Sequence, residues 1–272
     1  MTEEEWLACG DPIPMLGVVR DGATERKMQL FAFVCCWRNE YLSVVDEVDV
    51  RRFSPSEVEH RRRAITSFEG RIEGTVEESE LQTALFDAGA DAYGSARDPG
   101  DTVGYAVYAA SMVFHNILNC NWEWVAATAS QVAAYDSLTR RGSPELEKII
   151  AFWRVPQPGQ GDTGWARDER AVQGLPEFVS AMGIELSNLA NLLRDIFGNP
   201  FRSVTVDPRW QSEIVVALAT GIYAERAFDR MPILADALED AGCDHADILN
   251  HCRQPGEHVR GCWVVDLLTG RK

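Results

Sequence analysis

The sequence predicts an all-α protein, a multi-helix bundle of roughly ten helices. Three observations favour this fold class. Residues that commonly cap helices precede most of the apolar segments. Within those segments apolar residues recur at intervals of three or four, the spacing that forms one face of a helix. The alternation of apolar and polar residues that is typical of strands is absent, apart from at most one short extended segment near residues 200–206.

The N-terminal half contains several clear helix starts. Thr2 and Glu5 form the pattern of a capping box, in which each side chain bonds the backbone amide of the other residue. Ser54 offers an N-cap, and Pro55 suits the first helical position because its fixed φ angle is already helical. The predicted helices of this half begin at Thr2, Thr24, Ser54, Thr75, Asp101 and Ser143, and the long segment from Asp101 divides near residues 119–121.

The C-terminal half begins with a long helix from Pro176. It ends at Gly198, since glycine readily takes the left-handed conformation that follows a helix. Ser212 caps the next helix, and Pro232 restarts the chain after it. Two short elements follow, with the sequences DHADILNHCR and VRGCWVVDLL.

These elements suggest an organisation in three segments. Residues 1–154 form an N-terminal helical region with variable central helices, and residues 155–176, rich in glycine and proline, form a loop or linker. Residues 177–272 form a C-terminal helical unit packed on the first region. A single domain is the alternative, because 272 residues suffice for one large domain or two modest ones.

The strongest global property is a formal net charge of -16. A negative surface repels phosphate backbones and anionic lipids, so we expect neither a nucleic-acid nor a membrane partner. The weaker alternative, a nucleic-acid-associated regulator, depends on a short basic segment with Arg51, Arg52 and 61–63.

The chain is expected to be cytoplasmic. No apolar run approaches the ~20 residues that span a bilayer. The acidic start MTEEEWLACG lacks the basic and apolar regions of a secretory signal. The seven cysteines are then expected to be free thiols, buried side chains or metal ligands.

No catalytic residue is predicted. The sequence contains no G-x-S-x-G, H-E-x-x-H, Walker A or C-x-x-C motif. Hydrolase, zinc protease, P-loop and thioredoxin mechanisms therefore lack a motif here. We also expect no cofactor, with zinc as the alternative.

Cysteine and histidine are concentrated near the C-terminus. The 20 residues from Cys243 to Cys262 hold three of the seven cysteines and three of the five histidines of the chain. Zinc prefers four such ligands, usually in closely spaced pairs. Three interpretations stay open: a zinc site, a packed structural unit, or a reactive Cys/His pair. The candidate metal ligands are Cys243, His251, Cys252, His258 and Cys262; His258 and Cys262 have the i,i+4 spacing of a helix.

A second cluster consists of carboxylates just before this region. Arg226 and Arg230 lie among them, so an internal ion network is one interpretation. An acidic face that binds a partner is the other. Its candidate residues are Glu225, Asp229, Asp236, Glu239 and Asp240.

Both ends of the chain resemble a large paralogous family of planctomycete bacteria. The N-terminal resemblance lies in MTEEEWLACGDPIPML, and the C-terminal one in RDIFGNPFR, ERAFDRMPILADALEDAGC and HVRGCWVVDLL. It covers roughly residues 1–50 and 190–272. The resemblance implies a bacterial cytoplasmic protein and brings no activity with it.

The leading functional hypothesis is a non-enzymatic helical module for protein–protein interaction or regulation. It predicts no cleft with convergent titratable groups. The alternative is a metal-binding protein or enzyme that uses the C-terminal Cys/His cluster, with Asp229 or Asp236 as a nearby carboxylate. That alternative predicts convergence on a metal, or a Cys–His contact at hydrogen-bond distance.

Overall fold

The computed structural model describes residues 1–38, 55–95, 121–141 and 172–271, together with Val113, Asn116, Ile117 and Pro144. Within these residues it contains eleven α-helices and no β-strand, which confirms the predicted all-α class. The helices are α1 (Glu3–Ala8), α2 (Pro12–Val19), α3 (Glu25–Trp37), α4 (Pro55–Ile72), α5 (Glu78–Ser95), α6 (Trp122–Arg141), α7 (Pro176–Phe197), α8 (Glu213–Glu225), α9 (Met231–Asp240), α10 (Ala246–Arg253) and α11 (Trp263–Thr269). None of the helices in these ranges combines the length and apolarity that a bilayer span requires.

Several predicted helix boundaries have the expected local chemistry. Thr2 and Glu5 form the capping box at α1. The Ser212 hydroxyl accepts a hydrogen bond from the Val215 amide at the start of α8. Gly198 ends α7 at a φ angle of 68°, and its amide donates to the carbonyl of Arg194. Each interaction satisfies a backbone or side-chain group that the helix end would otherwise leave open.

The link after α7 lies where the sequence predicts a short extended segment. Residues 201–207 contain no regular helix or strand, and Asp207 then caps a short 3-10 turn, Pro208–Trp210. The predicted loop 155–176 lies outside the described residues up to residue 171, as do Arg51 and Arg52. Arg61, from the same predicted basic segment, is fully buried in α4, so it cannot contribute to a surface that binds nucleic acid.

The chain divides into two compact units. The first comprises residues 1–9, 14–31 and 190–272, and the second comprises residues 10–13 and 32–189. The boundaries therefore fall between α1 and α2 and within α2, α3 and α7. The boundaries predicted from the sequence, at residues 154 and 176, stay predictions.

The second unit is built around the α4–α5 pair. Phe68 of α4 meets Phe33 edge to face, with ring centroids 5.9 Å apart. Arg38 forms an ion pair with Glu185 at 3.0 Å.

The first unit has a continuous apolar core built from the C-terminal helices. Trp210 contributes its ring and donates from its indole nitrogen to the carbonyl of Gly242 at 3.2 Å. At roughly 25 cal/mol per Å² of apolar surface removed from water, such burial is the main stabilising contribution to this unit. The fully buried members are Val215, Ala219, Ile222, Met231, Leu234, Ala235, Leu238, Ile248, Cys262, Val264 and Val265.

Charged residues of α3 and α7 join that core to the N-terminal segment of the same unit. Arg26 forms an ion pair with the buried Asp266 at 2.8 Å and donates to the hydroxyl of Tyr223. At the end of α1, the guanidinium of Arg194 donates to the carbonyl oxygens of Trp6 and Cys9. None of the described cysteines forms a disulfide bond.

Candidate metal site

The end of α7 places one carboxylate inside the first unit. Leu192, Leu193 and Ile196 are buried on the core-facing side of the helix, and Asp195 is buried beside them with 2% of its surface exposed. Gly198 then ends the helix, so the Asp195 side chain lies within the last turn of α7. A carboxylate buried to this degree requires partners that favour its charged form.

Helix α10 supplies the first histidine. Ile248, Leu249 and Cys252 anchor this short helix in the apolar core, and His251 is buried in its last turn. The side-chain nitrogen of Gln254 lies 3.2 Å from Nδ1 of His251. This contact leaves Nε2 of the same imidazole to face the site.

The connection between α10 and α11 supplies the other two side chains. His258 and Cys262 share the predicted i,i+4 spacing, but the backbone between them forms a turn rather than a helix. The Cys262 amide donates to the carbonyl of Val259 at 2.9 Å, and Gly261 has a φ angle of 93°. A positive φ at the third position is what a type II turn requires, so glycine suits it.

These four side chains converge. Nε2 of His251 lies 3.1 Å from Oδ1 of Asp195 and 3.2 Å from Sγ of Cys262. Nδ1 of His258 lies 2.6 Å from the same Asp195 oxygen. One ligand atom from each residue can be chosen so that all four lie within 4.8 Å of one another. The second carboxylate oxygen of Asp195 accepts a hydrogen bond from the Val259 amide at 2.9 Å, which fixes the orientation of the carboxylate.

These separations are close to those of a tetrahedral zinc site. With zinc bonds of about 2.0–2.1 Å to nitrogen or oxygen and about 2.3 Å to sulfur, neighbouring ligand atoms are about 3.3–3.6 Å apart. The contacts of 2.6, 3.1 and 3.2 Å are shorter than these, and the ligand atoms of the whole group lie within 4.8 Å of one another. To admit the ion, the contacting atoms would move apart and the more distant ones would move closer, each by about 1 Å.

The charge of the site also suits a divalent cation. Burial by itself raises the pKa of Asp195, but hydrogen bonds from His251 and His258 outweigh it, and the pKa is lowered overall. Burial raises the pKa of the Cys262 thiol well above its usual value, although the amides of Val264 and Val265 favour the thiolate. A divalent ion would displace the thiol proton, and its two charges would balance one carboxylate and one thiolate.

One buried ring nitrogen has an unused bonding capacity. Nε2 of His258 is buried and has no hydrogen-bond partner among the described residues. A buried polar atom without a partner carries a cost of about 1–3 kcal/mol. Nε2 of His258 is therefore available to bind a cation, while Nδ1 contacts Asp195.

Two further residues surround the cluster. The indole of Trp263 lies 5.2 Å from the His251 ring, centroid to centroid. Lys27 interacts electrostatically with Asp195 and Cys262, although burial lowers the pKa of its ammonium group. The cluster therefore has an aromatic ring and a cation among its neighbours.

Three of the five predicted metal ligands belong to this group: His251, His258 and Cys262. Cys243 and Cys252 are not among its members and are instead buried in the apolar core. Cys252 follows His251 directly on α10, and neighbours on a helix point about 100° apart. Burial raises the pKa of Cys252 to about 12, as expected for a thiol packed in a core.

The sequence interpretation missed Asp195 and expected Asp229 or Asp236 in its place. Asp229 and Asp236 are exposed, and Asp236 forms an ion pair with Arg253 at 2.7 Å. A detectable signal was present, because Asp195 interrupts the apolar side of a predicted helix between Leu192 and Ile196. A carboxylate at such a position calls for a buried partner.

The predicted acidic face is partly an ion network. Glu225 pairs with Arg230 at 2.9 Å, and Glu239 pairs with Arg253 at 2.6 Å. Asp240, the remaining candidate, is exposed. Much of the charge on this face is therefore balanced by neighbouring arginines.

Comparisons of the chain with protein-family models, curated proteins and solved structures find no significant match. The resemblance to a planctomycete family stays a prediction.

Proposed function

We propose that this chain is a non-enzymatic helical metalloprotein whose first unit holds a structural zinc ion. The ligands are Asp195, His251, His258 and Cys262. The observation that carries the proposal is their convergence, with Asp195 and Cys262 both meeting Nε2 of His251. One carboxylate, one thiolate and two imidazoles form a mixed donor set of the kind that zinc accepts.

The same contacts argue against a cysteine nucleophile. In a catalytic Cys–His–Asp arrangement the cysteine and the carboxylate contact opposite nitrogens of the imidazole. Here Asp195 and Cys262 meet the same nitrogen, while the other nitrogen of His251 faces Gln254. Cys262 is also fully buried, and burial raises the pKa of its thiol, which disfavours a nucleophilic thiolate.

Burial favours a structural rather than a catalytic ion. Catalytic zinc sites keep one coordination position open to water or substrate, whereas structural sites are closed by four protein ligands. All four side chains here are at most 9% exposed. The hypothesis of a non-enzymatic module predicts no cleft with convergent titratable groups. Titratable groups do converge here, but they are buried inside the first unit.

The ion would join parts of the chain that are far apart in sequence. Asp195 lies in the last turn of α7, whereas His251 belongs to α10 and Cys262 directly precedes α11. Metal binding to a site that forms only in the folded state contributes directly to folding, by about 10–16 kcal/mol in zinc-finger peptides. In this proposal the ion fixes the geometry of the C-terminal unit.

A role in binding another protein remains part of the proposal. A structural ion would not itself contact a partner, so a partner would bind the surface of the unit. Asp229 and Asp240 are among the carboxylates exposed there. We therefore keep the interaction or regulatory module as the function that the ion would serve.

The test is metal analysis of the full-length protein after zinc loading and removal of unbound ion. We expect one zinc per chain in the wild type, and substoichiometric zinc in Cys262→Ser and His251→Gln. Cys252→Ser is the matched control, since it alters a buried thiol of the same unit outside the ligand set. A wild type that retains no zinc, or a Cys252→Ser variant that loses as much as Cys262→Ser, would refute the proposal.

A further inference from the structure

A small cavity in the first unit lies beside the candidate metal site. Its volume is about 230 Å³. Its walls come from α3, the end of α7 and the link that follows it, α10, and α11 with the residues after it. Its lining includes Lys27, Phe197, Arg202, Val204, Trp263 and Asp266.

The charge of the cavity differs from that of the whole chain. Three cations, Lys27, Arg202 and Arg271, line it together with two carboxylates, Asp247 and Asp266, in a protein whose net charge is -16. One positive charge is thus in excess at the wall, which suits a monoanion better than a cation.

The carboxylates are held by arginines, whereas Lys27 is less fully engaged. Arg202 contacts Asp247 at 3.3 Å and also forms an ion pair with Glu3, and Arg26 contacts Asp266 at 2.8 Å. Within the described residues Lys27 donates one hydrogen bond, to the carbonyl of Ile196 at 2.8 Å. An ammonium group has three donors, so Lys27 retains capacity for a further acceptor.

The rest of the lining is largely apolar. Phe197 and Trp263 supply aromatic surface, and Val204 and Leu267 supply aliphatic surface. Ligand sites commonly combine such walls with a few polar groups that fix orientation. A cavity of this size fits a single flat ring that carries one carboxylate.

The metal site and the cavity share their supports. Phe197 and Gly198 follow Asp195 on the chain, and Trp263 follows Cys262. The two walls also touch, because a Cβ atom on Gly198 would lie 3.1 Å from Cγ of Trp263. An ion that joins Asp195 to Cys262 would therefore hold the two walls at a fixed separation.

We infer that this cavity is a binding site for a small aromatic carboxylate, with Lys27 as the group that meets the carboxylate and the ion as the support of the walls. The inference rests on the proposed function for the metal dependence of the site. The charge and shape of the cavity, which select the carboxylate, are independent of whether zinc binds.

The test is calorimetric titration of the zinc-loaded full-length protein with benzoate, with benzamide, phenyl phosphate and inorganic phosphate as comparison probes. We expect benzoate to bind at least about tenfold more tightly than benzamide, which has the same shape without the charge. Phenyl phosphate should bind more weakly than benzoate because it carries a larger charge than the one in excess at the wall. Failure of zinc-loaded protein to bind benzoate would overturn the inference, as would preferential binding of either phosphate.

Two variants separate the cavity from general effects of charge and folding. Lys27→Met should weaken benzoate binding at least about tenfold, because it removes the ammonium group. Arg209→Met is the control, since it removes one positive charge from an exposed side chain outside the cavity. Val204→Phe keeps Lys27 and fills the cavity, so it should abolish binding while circular dichroism remains that of the wild type. Unchanged affinity in either cavity variant would contradict the assignment.

Chelation then tests the link to the ion. We expect removal of zinc to weaken benzoate binding at least about tenfold, and restored zinc to restore it. Benzoate binding that persists unchanged after verified zinc removal would refute the dependence on the ion. If metal analysis instead shows that wild type takes up no zinc, the proposed function fails, and Lys27-dependent benzoate binding by that protein would uphold the cavity alone.

Discussion

Oδ1 of Asp195 lies 2.6 Å from Nδ1 of His258, although the two residues are 63 positions apart in the sequence. The same carboxylate reaches His251 through Oδ1 and the Val259 amide through Oδ2. Asp195 thus joins the end of α7 to both segments that hold the Cys/His cluster. It has three identified polar contacts, as many as His251.

Replacement of this carboxylate should remove zinc binding. We expect Asp195→Asn, which conserves volume and removes the charge, to lower zinc affinity at least about 100-fold, since loss of an outer-shell partner alone costs about 10- to 100-fold. Competition with a chromophoric chelator would measure the affinity. Asp236→Asn is the matched control, because Asp236 is an exposed carboxylate of the same unit. Equal affinities of the two variants would exclude Asp195 as a ligand.

The turn before Cys262 should be intolerant of a side chain. Gly261 has a φ angle of 93°, and a Cβ atom there would lie 2.7 Å from Cδ1 of the buried Leu30. We expect Gly261→Ala to lower the free energy of unfolding by about 2–3 kcal/mol, from backbone strain and overpacking together. Urea unfolding of the zinc-free protein would measure it.

Gly270→Ala provides the control for backbone strain alone. Gly270 has a φ angle of 69°, but a Cβ atom there meets nothing within 4 Å. We expect this variant to lose only about 1 kcal/mol, the cost of the left-handed conformation for alanine. If both variants lose the same amount, contact with Leu30 does not contribute.

The helix ends were predictable from local chemistry, whereas the site was predictable only in part. Thr2, Ser212 and Gly198 act within a few residues of their own positions, so their roles can be read from the sequence. The density of cysteine and histidine likewise pointed to the segment that contains His251, His258 and Cys262. Their actual pairing with a distant carboxylate depends on how α7 packs against the C-terminal helices, which no local pattern specifies.

The two errors in the predicted ligand set, one of inclusion and one of omission, have different physical origins. Cys243 and Cys252 share the residue types of a metal site but are absent from the converging group, because the apolar core takes up their side chains. Asp195 was missed because no neighbouring residue type marks it as a ligand. Its position on the apolar side of α7 was the available signal, and it indicates burial without indicating the partner.

The buried ion pair of Arg26 should contribute far more to stability than the exposed arginine network. Arg26→Met would leave Asp266, which is 2% exposed, without its closest cation and should lower the free energy of unfolding by about 3 kcal/mol. Arg253→Met removes an exposed arginine that pairs with Asp236 and Glu239, and we expect little change because water screens such pairs. Thermal and urea unfolding would measure both. A larger loss in Arg253→Met than in Arg26→Met would contradict this order.

Asp266 should also impose a pH dependence on stability. Burial raises the pKa of its carboxyl, although Arg26, Lys27 and Arg271 favour the charged form, and Tyr223 lies beside Arg26. Between the ordinary and the raised pKa the folded protein holds a proton that the unfolded chain releases. This contribution to the free energy of unfolding therefore falls as pH rises through that interval, and the lost stability stays lost above it. Urea unfolding from about pH 4 upward should show a flatter profile for Asp266→Asn than for the wild type. Parallel profiles would contradict the assignment.

Gln254 should act as a positioning residue for the metal site. Its side-chain amide lies 3.2 Å from Nδ1 of His251, and when Nε2 binds an ion, Nδ1 carries a proton that requires an acceptor. The carbonyl oxygen of the Gln254 amide can accept that proton after rotation of the amide. We expect Gln254→Ala to weaken zinc binding by about tenfold, with Gln254→Glu retaining affinity because it also presents an acceptor. Gln211→Ala is the control, since Gln211 donates to the carbonyl of Leu268 in the same unit outside the ligand set. Competition titrations should separate the variants, whereas urea unfolding of zinc-free Gln254→Ala should match that of the wild type. An affinity loss in Gln254→Glu as large as in Gln254→Ala would exclude the acceptor role.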